Sequence, residues 1–183
     1  MKLLLYTTIS FLISLSSFAQ FSINDEYSTM EIRGTSNVHD WTEVVETLTG
    51  DVDASFKGNT LTKIGKLELT IPVKSIKSGK STMDNNTYNA MNADKYPNIK
   101  FNLKSASISG DKVLCTGTLT VADVTKEITV ACTYTVEPSK KRFILNGSHK
   151  MKMTTFGIEP PTAMLGAMRT GDDLTIEFSL VIN

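Results

Sequence analysis

The chain has 183 residues, with 19 Lys+Arg against 19 Asp+Glu, a length that suits one domain with a sizeable core. That charge balance argues against a nucleic-acid partner, which would favour a basic face, and against a polybasic membrane contact. The two histidines are far apart in sequence, and no HExxH, CxxC, GxSxG or phosphate-loop pattern occurs, so catalysis has no motif to stand on. A triad assembled only in space would leave no such pattern and is the least favoured reading.

The chain opens with Met1 and Lys2, runs through an apolar stretch from Leu3 to Leu15, and exits through Ser17-Phe18-Ala19. A positive start, a short apolar run and a small-x-small end predict an export signal cleaved after Ala19. A membrane anchor is the alternative, but the run is short for a bilayer and no stop-transfer charges follow. Loss of Lys2 leaves 18 basic residues against 19 acidic, a net charge of −1. Residues 20–183 show no linker or low-complexity tract and are expected to form one domain in a periplasm or outside the cell.

From there the dominant signal is alternation of period two, the mark of half-buried strands. Met30, Ile32 and Val38 share the first apolar face. Val44, Leu48, Val52, Ala54 and Phe56 form the second, and the turn Lys57-Gly58-Asn59 follows. Leu67, Leu69, Ile71 and Val73 alternate with Lys66 and Glu68. Ile99, Phe101 and Leu103 alternate with Lys100 and Lys104. Val113, Cys115, Leu119 and Val121 align, as do Ile128, Val130, Cys132, Tyr134 and Val136. Phe143, Leu145, His149, Met151 and Met153 alternate with Lys150 and Lys152. Leu174, Ile176, Phe178, Leu180 and Ile182 close the chain. This predicts an all-β fold of about eight antiparallel strands, each with one apolar face. A barrel and a two-layer sandwich would both give this alternation. Closure into a barrel removes the sheet edges, and about eight strands leave room for packed side chains or one small ligand.

Ser81 to Asn92 breaks the pattern and predicts one short helix. Ser81 and Asp84 resemble a capping box, and Met83, Thr87, Tyr88 and Met91 share a helical face. Such a helix can cover a barrel mouth or fill space between strands. The segment from Thr154 to Gly171 is longer than a hairpin needs and carries Phe156, Ile158, Met164, Leu165 and Met168, which predicts a lid.

A plain hairpin around Ala122–Thr125 sets Leu119 opposite Ile128 and Cys115 opposite Cys132 on the inward face. Directly opposed Cβ atoms lie about 4.5–5.5 Å apart, slightly beyond the ~3.5–4.5 Å of a disulfide. The pair is a candidate disulfide, with two free apolar thiols the favoured state. His149 falls within an apolar row. It is either a neutral histidine satisfied by a neighbouring group or a hydrogen-bonding partner for a ligand head group. His39 and Asp40 do not suit a metal, because adjacent strand residues point to opposite faces.

Four stretches carry a family resemblance: Ser36-Asn37-Val38-His39-Asp40-Trp41; Asp94-Lys95-Tyr96-Pro97-Asn98-Ile99-Lys100-Phe101; Gly117-Thr118-Leu119-Thr120-Val121 with Val124-Thr125-Lys126-Glu127-Ile128; and Phe156-Gly157-Ile158 with Gly171-Asp172-Asp173-Leu174-Thr175-Ile176. In that order they resemble the YceI-like family, secreted lipocalin-like proteins that bind polyisoprenoids and related lipids. The commonest family pattern has Gly where this chain has Asp123, and lacks Trp at the position of Trp41. The resemblance implies an antiparallel, lipocalin-like barrel with an elongated apolar lumen and no cofactor other than a bound lipid.

On the strand phases above, the lumen should be lined by Met30, Ile32, Phe101, Leu103, Leu119, Val130, Tyr134, Leu145, His149, Met151, Met153, Ile176 and Phe178. Trp41, Met83, Tyr88, Met91, Phe156, Met164 and Met168 should form the mouth and its lid. The expected partner is an apolar lipid-like molecule (a polyisoprenoid, quinone or fatty-acyl chain) held for carriage or sequestration, with transient membrane contact. The competing expectation is a solidly packed barrel whose loops bind a partner.

Overall fold

The computed structural model describes residues 19–183. The expected leader, residues 1–19, lies outside them except for Ala19, and the side chains of Ala163 and Met164 also lie outside the described set. Twelve strands are present: β1 (Ala19–Ser22), β2 (Thr29–Ser36), β3 (Trp41–Val45), β4 (Thr49–Lys57), β5 (Thr60–Pro72), β6 (Ile76–Lys77), β7 (Asn98–Ser109), β8 (Lys112–Val121), β9 (Val124–Glu137), β10 (Arg142–Lys152), β11 (Thr162–Ala163) and β12 (Met168–Ile182). One α-helix, α1 (Ser81–Ala90), lies between β6 and β7.

Eleven strands follow one another in a single sheet, in the order β1-β4-β5-β7-β8-β9-β10-β12-β2-β3-β6, and β11 pairs onto β12. All the pairings are antiparallel. The expected count of about eight is therefore corrected to eleven in the sheet. The strands of eight residues or more are β2, β4, β5, β7, β8, β9, β10 and β12, and these carry the period that sequence can show. Strands of two to four residues, such as β1 and β6, are too short to display one. β3 and β4 were read as one run, and the break at Glu46–Leu48 divides them.

The short strands close the curl. β1 pairs with β4, and the Ser22 N–H donates to the Asn183 carbonyl at 3.0 Å while the Asn183 N–H donates to the Ser22 carbonyl at 3.1 Å. An Ile23–Ile182 bridge extends this link from β4 to the end of β12. On the other side, the chain leaves β5, makes a 3-10 turn at Val73–Ser75 and pairs with β3 as β6. Backbone groups that would otherwise be an open edge are thus satisfied within the barrel.

The expected outward residues are placed as predicted: Lys66 is half-buried, and Glu68, Lys100, Lys104, Lys150 and Lys152 are exposed. Two valines are not on the expected face. Val38 lies in a loop after β2 and is exposed, and Val44 is exposed while its neighbours Glu43 and Val45 turn inward.

Three inward glycines leave room for aromatic rings. A Cβ on Gly34 would overlap the Trp41 indole, one on Gly117 would meet the Phe101 ring, and one on Gly147 would meet the Phe178 ring. At Gly147 the added carbon would also lie 2.9 Å from Cys132 Cβ and 3.0 Å from the Ala131 carbonyl oxygen. Gly147→Val is therefore expected to destabilise by about 1–3 kcal/mol through overpacking, read as a lower denaturant midpoint at unchanged slope. A midpoint equal to that of the parent would show that the ring can move aside.

Candidate functional site

The inward faces of the long strands enclose a cavity of about 600 Å³. That volume falls within the roughly 300–1,000 Å³ usual for small-molecule sites. Two ends differ in character. At one end the rings of Phe21, Phe56 and Phe143 pack edge to face, with centroids 5.3 to 6.0 Å apart, and fill the space. At the other end α1 and the segment around Ile158, Pro161 and Thr162 line the opening.

Eleven of the expected lumen residues line this cavity: Met30, Ile32, Phe101, Leu119, Val130, Leu145, His149, Met151, Met153, Ile176 and Phe178. Leu103 and Tyr134 do not. Leu103 stands next to a register shift between β7 and β8 and is only half-buried against the core. The Tyr134 hydroxyl accepts a hydrogen bond from the Leu61 N–H at 3.2 Å, which holds the ring against the wall between β9 and β5.

At the mouth, Trp41, Met83, Met91 and Met168 line the cavity as expected. The Trp41 indole N–H donates to the Thr35 carbonyl at 3.0 Å, fixing the ring over Gly34. Tyr88 has a different task. Its hydroxyl donates to the Ile76 carbonyl at 2.9 Å and accepts from Lys77 Nζ at 2.7 Å, which ties α1 to β6. Phe156 is buried in the core beneath the mouth and does not face the cavity. The Met164 side chain is outside the described residues.

The helix starts where expected, but Ser81 is not its cap. Lys80 occupies that position without a side-chain bond, and Asp84 instead accepts from the Ser78 N–H at 2.7 Å and the Ser78 hydroxyl at 2.6 Å. These donors hold the Asp84 carboxyl below the ordinary range.

The expected Thr154–Gly171 loop is shorter than the sequence suggested, because β11 pairs with β12 and β12 begins at Met168. Within it, Ile158, Pro161, Thr162 and Met168 line the cavity.

The hairpin between β8 and β9 is tighter than expected. Val121 pairs with Val124, leaving Ala122 and Asp123 as a two-residue turn, with Ala122 at φ +52°. Cys115 consequently faces Val130, and Cys132 faces Val113, so the two cysteines are diagonal neighbours rather than opposites. Both are free, buried and part of the cavity wall. The adjacent Cys115 sulfur and burial push the Cys132 thiol far above its ordinary range, so it behaves as an apolar filler.

Two polar side chains reach the apolar interior. His149 is half-buried, burial lowers its pKa, and it makes no hydrogen bond among the described residues. The expectation of a partner within the protein is thus not met. Glu43 is 2 % exposed and was not anticipated. Thr87 Oγ1 on α1 donates to its carboxylate at 2.6 Å, while burial raises its pKa and Asp84 adds to the rise. The Trp41-x-Glu43-x-Val45 alternation was the available signal for it. His39 lines the rim, where its backbone N–H donates to the Ser36 hydroxyl at 3.1 Å. No group of three or more metal-ligating His, Cys, Asp or Glu side chains occurs among the described residues.

The model of the YceI-like domain matches residues 16–182. The chain belongs to the YceI-like family. Solved structures share this fold at low identity. BcnA of Burkholderia cenocepacia is similar at a TM-score of 0.69 and 19% identity, over 87% of this chain and 98% of that one. A polyisoprenoid binding domain from Saccharophagus degradans, implicated in plant cell wall breakdown, is similar at 0.70 and 15%, over 89% and 97%. The Campylobacter jejuni YceI protein is similar at 0.60 and 19%, over 96% and 89%. No curated protein matches in sequence.

Proposed function

We propose that the protein is an exported, non-catalytic carrier that holds one long apolar lipid, of polyisoprenoid, quinone or fatty-acyl type, in its lumen. The observation that carries this reading is the cavity of about 600 Å³ with predominantly apolar walls. Each methylene transferred into such a lumen contributes about 0.8 kcal/mol before ordering costs, so a long chain binds without a specific polar contact. The polyisoprenoid-binding domain of similar fold supports the same class of ligand. The apolar run and small-residue exit at residues 1–19 support export.

Transient membrane contact fits the rim, where the exposed Val38 and Leu165 sit on two loops joined by Asn37 Nδ2 donating to the Ala167 carbonyl at 2.9 Å. The test is organic extraction and mass spectrometry of purified protein. A reproducible lipid at near one-to-one stoichiometry is expected. Clean protein that also ignores added prenyl lipids would count against the carrier and favour a packed interaction module.

A further inference from the structure

The cavity wall contains a nearly fully buried carboxyl with no cation to neutralise it. Glu43 lines the cavity and is 2 % exposed. Its one hydrogen bond among the described residues is the donation from Thr87 Oγ1. The charged groups around it do not compensate. Asp84, on the same helix as Thr87, is itself acidic and bonded to Ser78. Lys77 on β6 directs its ammonium to the Tyr88 hydroxyl at 2.7 Å and to Asp84 at 4.0 Å. Lys80 and His39 line the opening but are exposed to water. β2 presents Ile32 opposite Glu43.

The sheet register places a second polar group in the same row, three strands away. Glu43 faces Ile32, Ile32 faces Ile176, and Ile176 faces His149. All these residues line the cavity. His149 is unpartnered among the described residues, and a neutral imidazole offers one donor and one acceptor. A carboxyl so placed is costly unless something donates to it. A lipid tail alone would leave the Glu43 carboxyl with Thr87 as its one side-chain donor among the described residues.

We propose that Glu43, at the α1 end of the cavity, forms a head-group subsite that takes lipids whose polar end donates hydrogen bonds, a hydroxyl or an ammonium, and rejects carboxylate and diphosphate heads. This rests on the lumen reading above. A hydroxyl or an ammonium donates to the Glu43 carboxylate beside Thr87. Above its raised pKa the Glu43 carboxyl is ionised, and an anionic head then meets like charge in a low-dielectric wall, which is the stronger discriminator. Glu43, and not the apolar walls, therefore sets the polarity of the ligand.

Trp41 is the only tryptophan in the chain and lines the same cavity, so its fluorescence reports occupancy. Binding of hexadecan-1-ol, hexadecylammonium and hexadecanoate is measured as a series from pH 6 to pH 10 on the purified protein, and the three are compared at the top of that range. The parent is expected to bind the alcohol and the ammonium about tenfold or more tightly than the carboxylate. Glu43→Gln keeps the shape and removes the charge, and should bring the ammonium and the carboxylate to within about threefold of each other.

The carboxyl is an acid whose native pKa is raised, so its contribution to stability is lost as pH rises through that window. Glu43→Gln should accordingly fold at least as well as the parent at pH 8. Should it fail to fold, Glu43→Leu carries the same comparison, and the parent's preference between the two oppositely charged heads stands without any variant. A parent that binds the carboxylate as tightly as the ammonium, or variants that keep the parent's preference, would overturn the subsite while leaving lipid binding intact. Failure of all three probes to bind would instead overturn the lumen reading and the subsite with it.

Discussion

Leu145→Asp is expected to abolish both lipid retention and cooperative folding, whereas Lys150→Asp, five residues along the same strand, should do neither. Leu145 is 1 % exposed, pairs with Tyr134 and Leu180 across β9 and β12, and lines the cavity. Removing a buried leucine side chain costs about 2–5 kcal/mol, and a carboxylate without a partner in its place adds a desolvation penalty of several more. Together these are comparable to the whole stability of a domain, about 5–15 kcal/mol. Lys150 is exposed, faces Thr175 and forms no ion pair among the described residues. Surface changes of that kind stay within about ±0.5 kcal/mol. Thermal unfolding by circular dichroism and mass spectrometry of extracted lipid check both. Equal effects from the two substitutions would refute the assignment of inward and outward faces on β10.

How far these faces were legible depended on strand length and on turn chemistry. β10 and β12 carry 11 and 15 residues, long enough for period two to fix the side that faces the lumen. Five of the eleven expected residues that line the cavity, Leu145, His149, Met151, Ile176 and Phe178, follow from that alone. β3 has five residues, and its adjacent Val44 and Val45 offer no phase of their own. Reading Val44 as inward placed Glu43 outside, and the most informative polar residue of the site was lost.

The β8–β9 register failed for another reason. A chain that turns in two residues through a left-handed alanine was read as a longer turn. The resulting shift is two residues, an even number, so every side chain kept its face and only the direct Cys115–Cys132 opposition was lost. Tyr134 shows a third limit. Alternation placed it inward, but its hydroxyl meets the Leu61 amide from a strand far away in sequence, and no local pattern encodes that contact.

The second large effect is expected at the closed end, where Phe143→Ala should destabilise the barrel by about 3–5 kcal/mol. Phe143 is 1 % exposed and belongs to β10, while its partner rings Phe21 and Phe56 come from β1 and β4. Its ring lies 5.4 Å from Phe21 at 87° and 5.3 Å from Phe56 at 67°, both edge to face. These strands are not neighbours of β10 in the sheet, so the rings pack across the end of the barrel rather than along one wall. They reinforce the closure that β1 makes between β4 and β12, where Phe143 itself pairs with Ile182. For a chain of this size the loss corresponds to a fall in melting temperature of roughly 6–20 °C. The cavity lies beyond the rings, bounded by Leu145 two residues further along β10, and Phe143 is not part of its lining. Phe143→Ala should therefore weaken the fold while the protein that remains folded still retains lipid, in contrast to Leu145→Asp. A melting temperature equal to that of the parent would show that the three rings do not hold the end together. Lipid loss in a variant that still unfolds cooperatively would show that they form the floor of the binding site itself.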